Sequence, residues 1–485
     1  MRTLTSDSYR PKFHFTPPFG WLNDPNGLVC INDEYHLFYQ YHPFDTVWGP
    51  MHWGHAVSKD FINWIHMPVA LKPDRSGACF SGSAVVDWKN SSGFFDAQNT
   101  QPGVVAFYTA NFQPKDGSPW IQSQHVAVSR DGGKSWSKEE NSLVLENPGL
   151  LDFRDPKVFR HDESDAWVMV VSEGQDIGFY RSPDMKNWKK SSVFGALAGA
   201  HDESALECPD LFPLTFENKT YWVLVAGVQH CGPNDGTGTQ YFVGTFDGYQ
   251  FVNVNANEVV LWLDHGRDFY AAQSWSDVAD GRRIAIAWMS NNLYADSTPT
   301  SHWRGAMSVP RELELTNQED GLRLVSKLPH QWLDAQSSDI ESNILLSEGD
   351  ELHLSSDFQV GITRSSLSLH VGSEIEYYPF GNDAICYAFS RSESGLTVTT
   401  KRNILDMNGS YKYESHFAFE SELKLPDREL IDLVHVSDAC SSEMQLFDGL
   451  YSFTNLAFCP EPLSPKLACT KGSATVTESS FQQVT

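Results

Sequence analysis

Positive charge is scarce in this 485-residue chain: 35 Lys and Arg stand against 62 Asp and Glu, for a net charge of −27. A polyanion is held by basic side chains that neutralise its phosphates, so this balance argues against nucleic acid as a partner. Long apolar runs are also missing. None approaches the ~18 residues of a membrane span, and no membrane partner is expected. The eight cysteines (Cys30, Cys79, Cys208, Cys231, Cys386, Cys440, Cys459, Cys469) are sparse and never spaced Cys-x-x-Cys. That argues against a zinc site or a disulfide framework and leaves buried free thiols as the expectation. The first seven residues, Met1 to Asp7, hold no apolar stretch of a secretory kind. A cytoplasmic location is expected if Met1 is the native start, and a secreted one if a signal peptide has been removed. His52 and His55 lie three apart with no further ligand in register, so no metal is expected, and no cofactor. Ser81-Gly82-Ser83 is not a Gly-x-Ser-x-Gly elbow and no helix follows it, which leaves serine-hydrolase chemistry unsupported.

Aromatics are plentiful, with 15 Trp, 17 Tyr and 30 Phe, and only 20% of residues are charged, a composition that folds. Helical periodicity is scarce up to about Leu328. A repeat takes its place. Ser/Thr-x-Asp followed by an aromatic recurs at Ser58-Lys59-Asp60…Trp64, Ser129-Arg130-Asp131…Trp136, Ser182-Pro183-Asp184…Trp188 and Thr245-Phe246-Asp247…Phe251. A short β-rich run precedes each, so the repeats read as hairpins. A second family of strands lies ahead of them, at Tyr35–Tyr39, Val104–Tyr108, Trp167–Val171, Tyr221–Val225 and Ile284–Trp288. Five all-β units over roughly 320 residues give about 60 each, the size of a propeller blade with generous loops. The chain therefore reads as all-β, with a five-bladed β-propeller over 1–328, a linker over 329–344 and a β-sandwich over 345–485.

Ligands of propellers bind where the innermost strands converge, and three acids sit at the starts of such strands. Asp24 lies in Trp21-Leu22-Asn23-Asp24-Pro25-Asn26-Gly27, Asp155 in Phe153-Arg154-Asp155-Pro156, and Glu207 in Glu207-Cys208-Pro209-Asp210. Each precedes a proline, whose fixed φ and missing N–H suit the start of a strand and hold the neighbouring carboxylate in one direction. Asp before Pro is also an ordinary turn pair, so one such acid carries nothing. Three in matching contexts on different blades carry more. Two carboxylates flanking one bond provide a nucleophile or base and a proton donor, as glycoside hydrolysis requires. Trp21, Trp48, Trp53 and Phe80 around Asn23, Gln40, His55 and Ser81 can shape an apolar-walled sugar slot, although core packing explains aromatics equally well.

At these residues the chain resembles the retaining β-fructosidases of glycoside hydrolase family 32, a group of invertases, exo-inulinases and exo-levanases. The motifs are Trp21–Gly27, Trp48-Gly49-Pro50-Met51-His52-Trp53-Gly54-His55, Phe80-Ser81-Gly82-Ser83, Arg154-Asp155-Pro156, Glu207-Cys208-Pro209-Asp210 and Asp268-Phe269-Tyr270-Ala271. The resemblance implies that Asp24 is the nucleophile, Asp155 the transition-state stabiliser and Glu207 the acid/base. It also implies that Asn23, Gln40, Trp48, Trp53, Phe80, Ser81 and Arg154 bind substrate. Asp155 is expected to stay ionised beside Arg154, because a nearby cation favours the charged form, and Glu207 to need a pKa raised by burial or a neighbouring carboxylate. The expected reaction releases terminal β-D-fructofuranosyl units from sucrose, with inulin or levan as further candidate substrates. A fructosyltransferase using the same acids, or a propeller that only binds sugar, is the alternative. Two positions depart from the family pattern. Leu22 stands where most members have Met, and Asn292 stands where many have Trp, which implies no aromatic platform beside the leaving group. Asp438-Ala439-Cys440-Ser441-Ser442-Glu443 and Phe453-Thr454-Asn455 resemble the family's sandwich motif more weakly.

Overall fold

The Ser/Thr-x-Asp repeat folds as one turn used four times. In the computed structural model, which describes residues 9–96, 101–332, 338–355, 357–358, 360–406 and 411–484, the Asp60 carboxylate accepts the backbone N–H groups of Ile62 and Asn63 at 2.9 and 2.7 Å. Asp131 does the same for Lys134 and Ser135 at 3.1 and 2.9 Å, and Asp184 for Lys186 and Asn187 at 3.0 and 2.9 Å. The following tryptophan reaches back, its indole N–H donating to a turn carbonyl: Trp64 to Phe61, Trp136 to Gly133 and Trp188 to Met185, at 3.1, 3.0 and 2.9 Å. Asp247 keeps the carboxylate half of the turn, accepting from Tyr249 and Gln250 at 2.8 and 2.9 Å, while Phe251 has no N–H to return. Short acceptor side chains satisfy the backbone of a tight turn locally, so the repeat marks where chain direction reverses.

Each of these turns joins the third and fourth strands of a four-stranded antiparallel sheet. Blade 1 comprises Gly20–Ile31, Glu34–His42, His52–Ser58 and Ile65–Leu71, and blade 2 Ala78–Val86, Val104–Phe112, Ile121–Ser129 and Ser137–Leu145. Blade 3 is Arg154–His161, Ala166–Glu173, Asp176–Ser182 and Lys189–Phe194, and blade 4 is Glu207–Phe216, Lys219–Val228, Gly238–Phe246 and Phe251–Asn253. Blade 5 has no such turn and uses Tyr270–Ser274, Ile284–Trp288, Arg311–Gln318 and Gly321–Lys327. The first strands touch one another in ring order, and blade 5 returns to blade 1. Trp303–Arg304 closes the ring by pairing in parallel with Gly20 and Trp21 at the edge of blade 1.

Both faces of a blade pack on neighbours, so the second strands are apolar without alternation, as in Trp167–Val171. A separate hydrophobic cluster fills each gap between blades; Val85, Phe107, Val126, Val158 and Met169 are part of the one between blades 2 and 3. Truncating a side chain such as Phe107, which is fully buried, to alanine costs about 3–5 kcal/mol.

The C-terminal part is a sandwich of two six-stranded sheets, one of them running Ser338–Ser347, Ser473–Gln483, Gly361–Leu369, Ile431–Asp438, Ser441–Leu446 and Tyr451–Leu456. Residues 338–344, read from the sequence as linker, belong to the first of these strands and pair with 476–481. As an edge strand it is bonded on one side only, and its polar sequence hides the period of two. Residues 333–337 of the expected linker lie outside the described residues. The eight cysteines are unpaired.

Candidate active site

Every first strand of the propeller carries one extra residue at the same end. Between Leu22 and Pro25, Cys79 and Gly82, Arg154 and Lys157, Glu207 and Asp210, and Tyr270 and Gln273, the strand advances three residues while its partner advances two. Such bulges interrupt the ladder and re-aim side chains. Asp155, Cys208 and Ala271 take left-handed φ values of 65°, 48° and 52° inside three of them. These are conformations that cost a non-glycine residue roughly 1–2 kcal/mol each. Pro25, Pro156 and Pro209 lie at or within their bulges, where a missing N–H costs nothing.

The bulges line one end of the central channel and enclose a cavity of about 490 Å³. Asp24, Asp155 and Glu207 all face it, from blades 1, 3 and 4. Asn23, Gln40, Trp48, Phe80, Ser81 and Arg154 also line it. Trp53 does not. It is 1% exposed, donates its indole N–H to Phe80 O at 2.9 Å and holds the Phe80 segment from behind. Gln40 is anchored by donating to Asn26 Oδ1 at 2.6 Å and Cys79 O at 3.0 Å.

The three carboxyls sit in different settings. Asp24 accepts the Ser81 hydroxyl at 2.6 Å on Oδ2 and the Asn23 amide at 3.0 Å on Oδ1, and Asn23 is itself fixed by the Trp21 indole at 2.8 Å. Burial pushes the Asp24 pKa up, the Ser81 bond opposes it, and the charge of Glu207 adds to the rise. Glu207 accepts the Tyr270 hydroxyl on Oε2 at 2.5 Å and the Arg154 guanidinium on Oε1 through Nη2 at 2.9 Å and Nε at 3.1 Å. Asp155 accepts the Cys208 N–H at 3.0 Å, and its own N–H donates to Thr109 Oγ1 at 3.0 Å. The Asp155 carboxyl is pushed up to about 7, first by burial and then by the charges of Glu207 and Asp24, against the pull of Arg154. This corrects the expectation that Arg154 keeps Asp155 ionised. The guanidinium lies 3.9 Å from Asp155 Oδ2 and spends its hydrogen bonds on Glu207, Asp152 and Gln122. The Cys208 thiol fills the space between Asp24 and Asp155, 3.6 Å from an oxygen of each, and burial holds its pKa high.

One wall is aromatic. Trp48 and Trp120 stack with centroids 6.0 Å apart and planes 8° from parallel, and both meet Phe80 edge-on. Among the described residues no three His, Cys, Asp or Glu side chains are grouped to hold a metal ion.

The model of the glycosyl hydrolases family 32 N-terminal domain matches residues 14–327, the stretch that carries all three acids and the whole cavity. The chain belongs to glycosyl hydrolase family 32. It is 46% identical over 370 residues to the levanase of Bacillus subtilis (strain 168), a match covering 73% of this chain and 53% of that protein. Over 493 residues it is 32% identical to the invertase of Debaryomyces hansenii, covering 95% of this chain and 90% of that one. Its fold superposes with a TM-score of 0.86 on a variant of the fructofuranosidase from Schwanniomyces occidentalis complexed with fructosylnystose, at 30% identity and with 99% of both chains covered. The chain spans about half the length of the levanases it matches.

Several lining residues of this family 32 chain carried no role in the sequence reading. Tyr270 stood in a recognised motif without an assigned partner. Gln122, Asp152 and Gln229 are single polar residues with no local pattern, and Trp120 follows an ordinary Pro-Gly turn region. Only the ring closure brings them to one cavity. Asn292 does line it, exposed, in the stretch between the second and third strands of blade 5.

Proposed function

We propose that this protein is a retaining β-fructofuranosidase that releases terminal non-reducing β-D-fructofuranosyl units from sucrose and from levan- or inulin-type fructans, with residues 1–328 as the catalytic unit. The observation that carries the reading is the convergence of Asp24 and Glu207 on one cavity from different blades, each held by its own donors. Asp24 is oriented by Ser81 and Asn23 and attacks the anomeric carbon. Glu207, oriented by Tyr270 and Arg154, gives its proton to the departing oxygen as the C–O bond breaks. Water then attacks the same carbon, Glu207 takes the water's proton, and Asp24 leaves, so the configuration is retained. Asp155 grips fructose hydroxyls and Arg154 holds Glu207 in place, while Trp48 and Phe80 supply the apolar face. The invertase, levanase and fructofuranosidase names of the relatives support sucrose and fructans as the substrate class.

Incubation with sucrose tests this. Hydrolysis yields equal glucose and fructose, transfer yields excess glucose, and a sugar-binding propeller yields neither. Asp24→Asn is expected to lose several orders of magnitude in turnover. A folded variant that keeps more than about a tenth, a factor worth only ~1.4 kcal/mol, refutes the nucleophile assignment.

A further inference from the structure

The sandwich reaches the catalytic cavity through buried charge. Arg402 ends the strand Gly395–Arg402 of the sandwich and is 1% exposed. It is ion-paired with Asp268 of the propeller. The same guanidinium donates to the Tyr294 hydroxyl at 2.8 Å, and to Phe417 O at 3.0 and 2.8 Å, and lies 3.8 Å over the Phe417 ring. Asp268 is fully buried. It accepts the Tyr294 hydroxyl at 2.6 Å and the Leu456 N–H at 2.9 Å, and its own N–H donates to Thr454 O at 3.0 Å. Nearby, the Thr454 hydroxyl donates to Asp264 at 2.8 Å, and Arg311 joins Asp264 and Glu443 at 2.9 and 2.8 Å. The stretch 264–268 is thus tied to sandwich strands at both ends.

Two residues after Asp268 comes Tyr270, whose hydroxyl donates to Glu207. On either side of Tyr294 come Asn292 and the pair Ala295 and Asp296, all lining the cavity. One sandwich side chain therefore anchors two propeller segments that line the cavity, one of them carrying the Tyr270 hydroxyl to Glu207.

The geometry points to Arg402 as a positioning residue of the active site, acting from the sandwich through Asp268 on the hydrogen bond from Tyr270 to Glu207. This rests on the reading of Glu207 as the proton donor. A loosened donor hurts poor leaving groups most, because general acid help, worth roughly 10²–10⁴-fold, is needed only where the departing alkoxide is unstable. A simple loss of stability lowers all substrates alike.

The test compares kcat/KM, which reads the step in which the leaving group departs, on sucrose and on p-nitrophenyl β-fructofuranoside at a temperature where the proteins are folded. Arg402→Met is expected to lose about tenfold or more on sucrose and less than about threefold on the nitrophenyl substrate. Arg402→Lys stays charged but cannot bond Asp268, Tyr294 and Phe417 together, and shows the same selectivity to a smaller degree. It decides the matter should the Met variant fail to fold. Adding the Arg402 change to Tyr270→Phe is expected to cost little more than Tyr270→Phe alone, since both act on one bond. Equal losses on the two substrates, or additive losses in the double variant, overturn the proposal. Glu207→Ala runs alongside: a selective loss on sucrose with rescue by azide upholds the proton donor, and an unselective loss without rescue removes that reading and this inference with it.

Discussion

The guanidinium of Arg154 is aimed at Glu207, with Nη2 and Nε at 2.9 and 3.1 Å from one carboxylate oxygen, while Asp155, its neighbour in the chain, lies 3.9 Å away. A fork that puts two N–H groups on one oxygen and a third on Asp152 orients that carboxyl in a way an ammonium cannot. Arg154→Lys is therefore expected to lower kcat/KM on sucrose about thirtyfold, or ~2 kcal/mol. A variant within about threefold of the parent shows that charge alone suffices there.

Asp155 should make the folded state sensitive to pH. Its carboxyl is raised from 3.8 to about 7, so between those values the folded chain holds a proton that the unfolded chain has released. Stability falls as pH rises through that window, and the full penalty is present above it. Asp155→Asn removes the penalty. The variant is expected to match the parent's melting temperature near pH 4 and to exceed it increasingly up to about pH 7, with activity lost throughout. Thermal melts across that range check it; parallel curves refute it.

His14 works in the opposite sense. It lies between Asp438 and Glu443, at 2.9 and 2.8 Å, where the propeller's N-terminal stretch meets the sandwich. Burial alone lowers its pKa, but the hydrogen bonds and charges of the two acids lift it to about 9, and both acids are held low in return. Its contribution is complete below about pH 6.5 and disappears as pH rises through 9, while that of the acids disappears only as pH falls through their lowered values. Breaking a buried pair costs about 3–5 kcal/mol. The melting deficit of His14→Gln should be largest near pH 6 and shrink toward pH 9.

Asn292 offers a change of preference rather than of rate. A tryptophan there would add a stacking surface worth on the order of 1 kcal/mol, about fivefold in relative kcat/KM. Asn292→Trp should shift the ratio of sucrose to inulin turnover by that amount. An unchanged ratio shows that the next sugar unit does not reach this wall.

Much of the architecture was legible in the residues. Ser58, Asp60 and Trp64 write a turn into the sequence because all three satisfy backbone groups within a few positions of themselves. The runs at Trp167–Val171 and its counterparts announced strands. The three acids were legible as a set, through the prolines beside them. The bulges were not, since one extra residue leaves no mark until pairing partners are known. Nor was the aim of Arg154, for adjacency in the chain says nothing about where a long side chain points. Asp438, Glu443 and Thr454 stood in a recognised motif, yet their partners His14, Asp264 and Arg311 lie more than a hundred positions away. Trp53 shows the converse, a motif residue that serves the cavity from behind its wall.

The five bulges have an evolutionary meaning. Because each extra residue is absorbed at the rim, the ladder beyond it resumes its regular pairing. The ring is a socket with five teeth, three of which hold the acids. Selection can change a rim side chain that faces the cavity without being one of the acids, such as Phe80, while the ladder behind it stays in register, so new specificities in such a scaffold should arise by single substitutions beside the acids sooner than by remodelling whole loops.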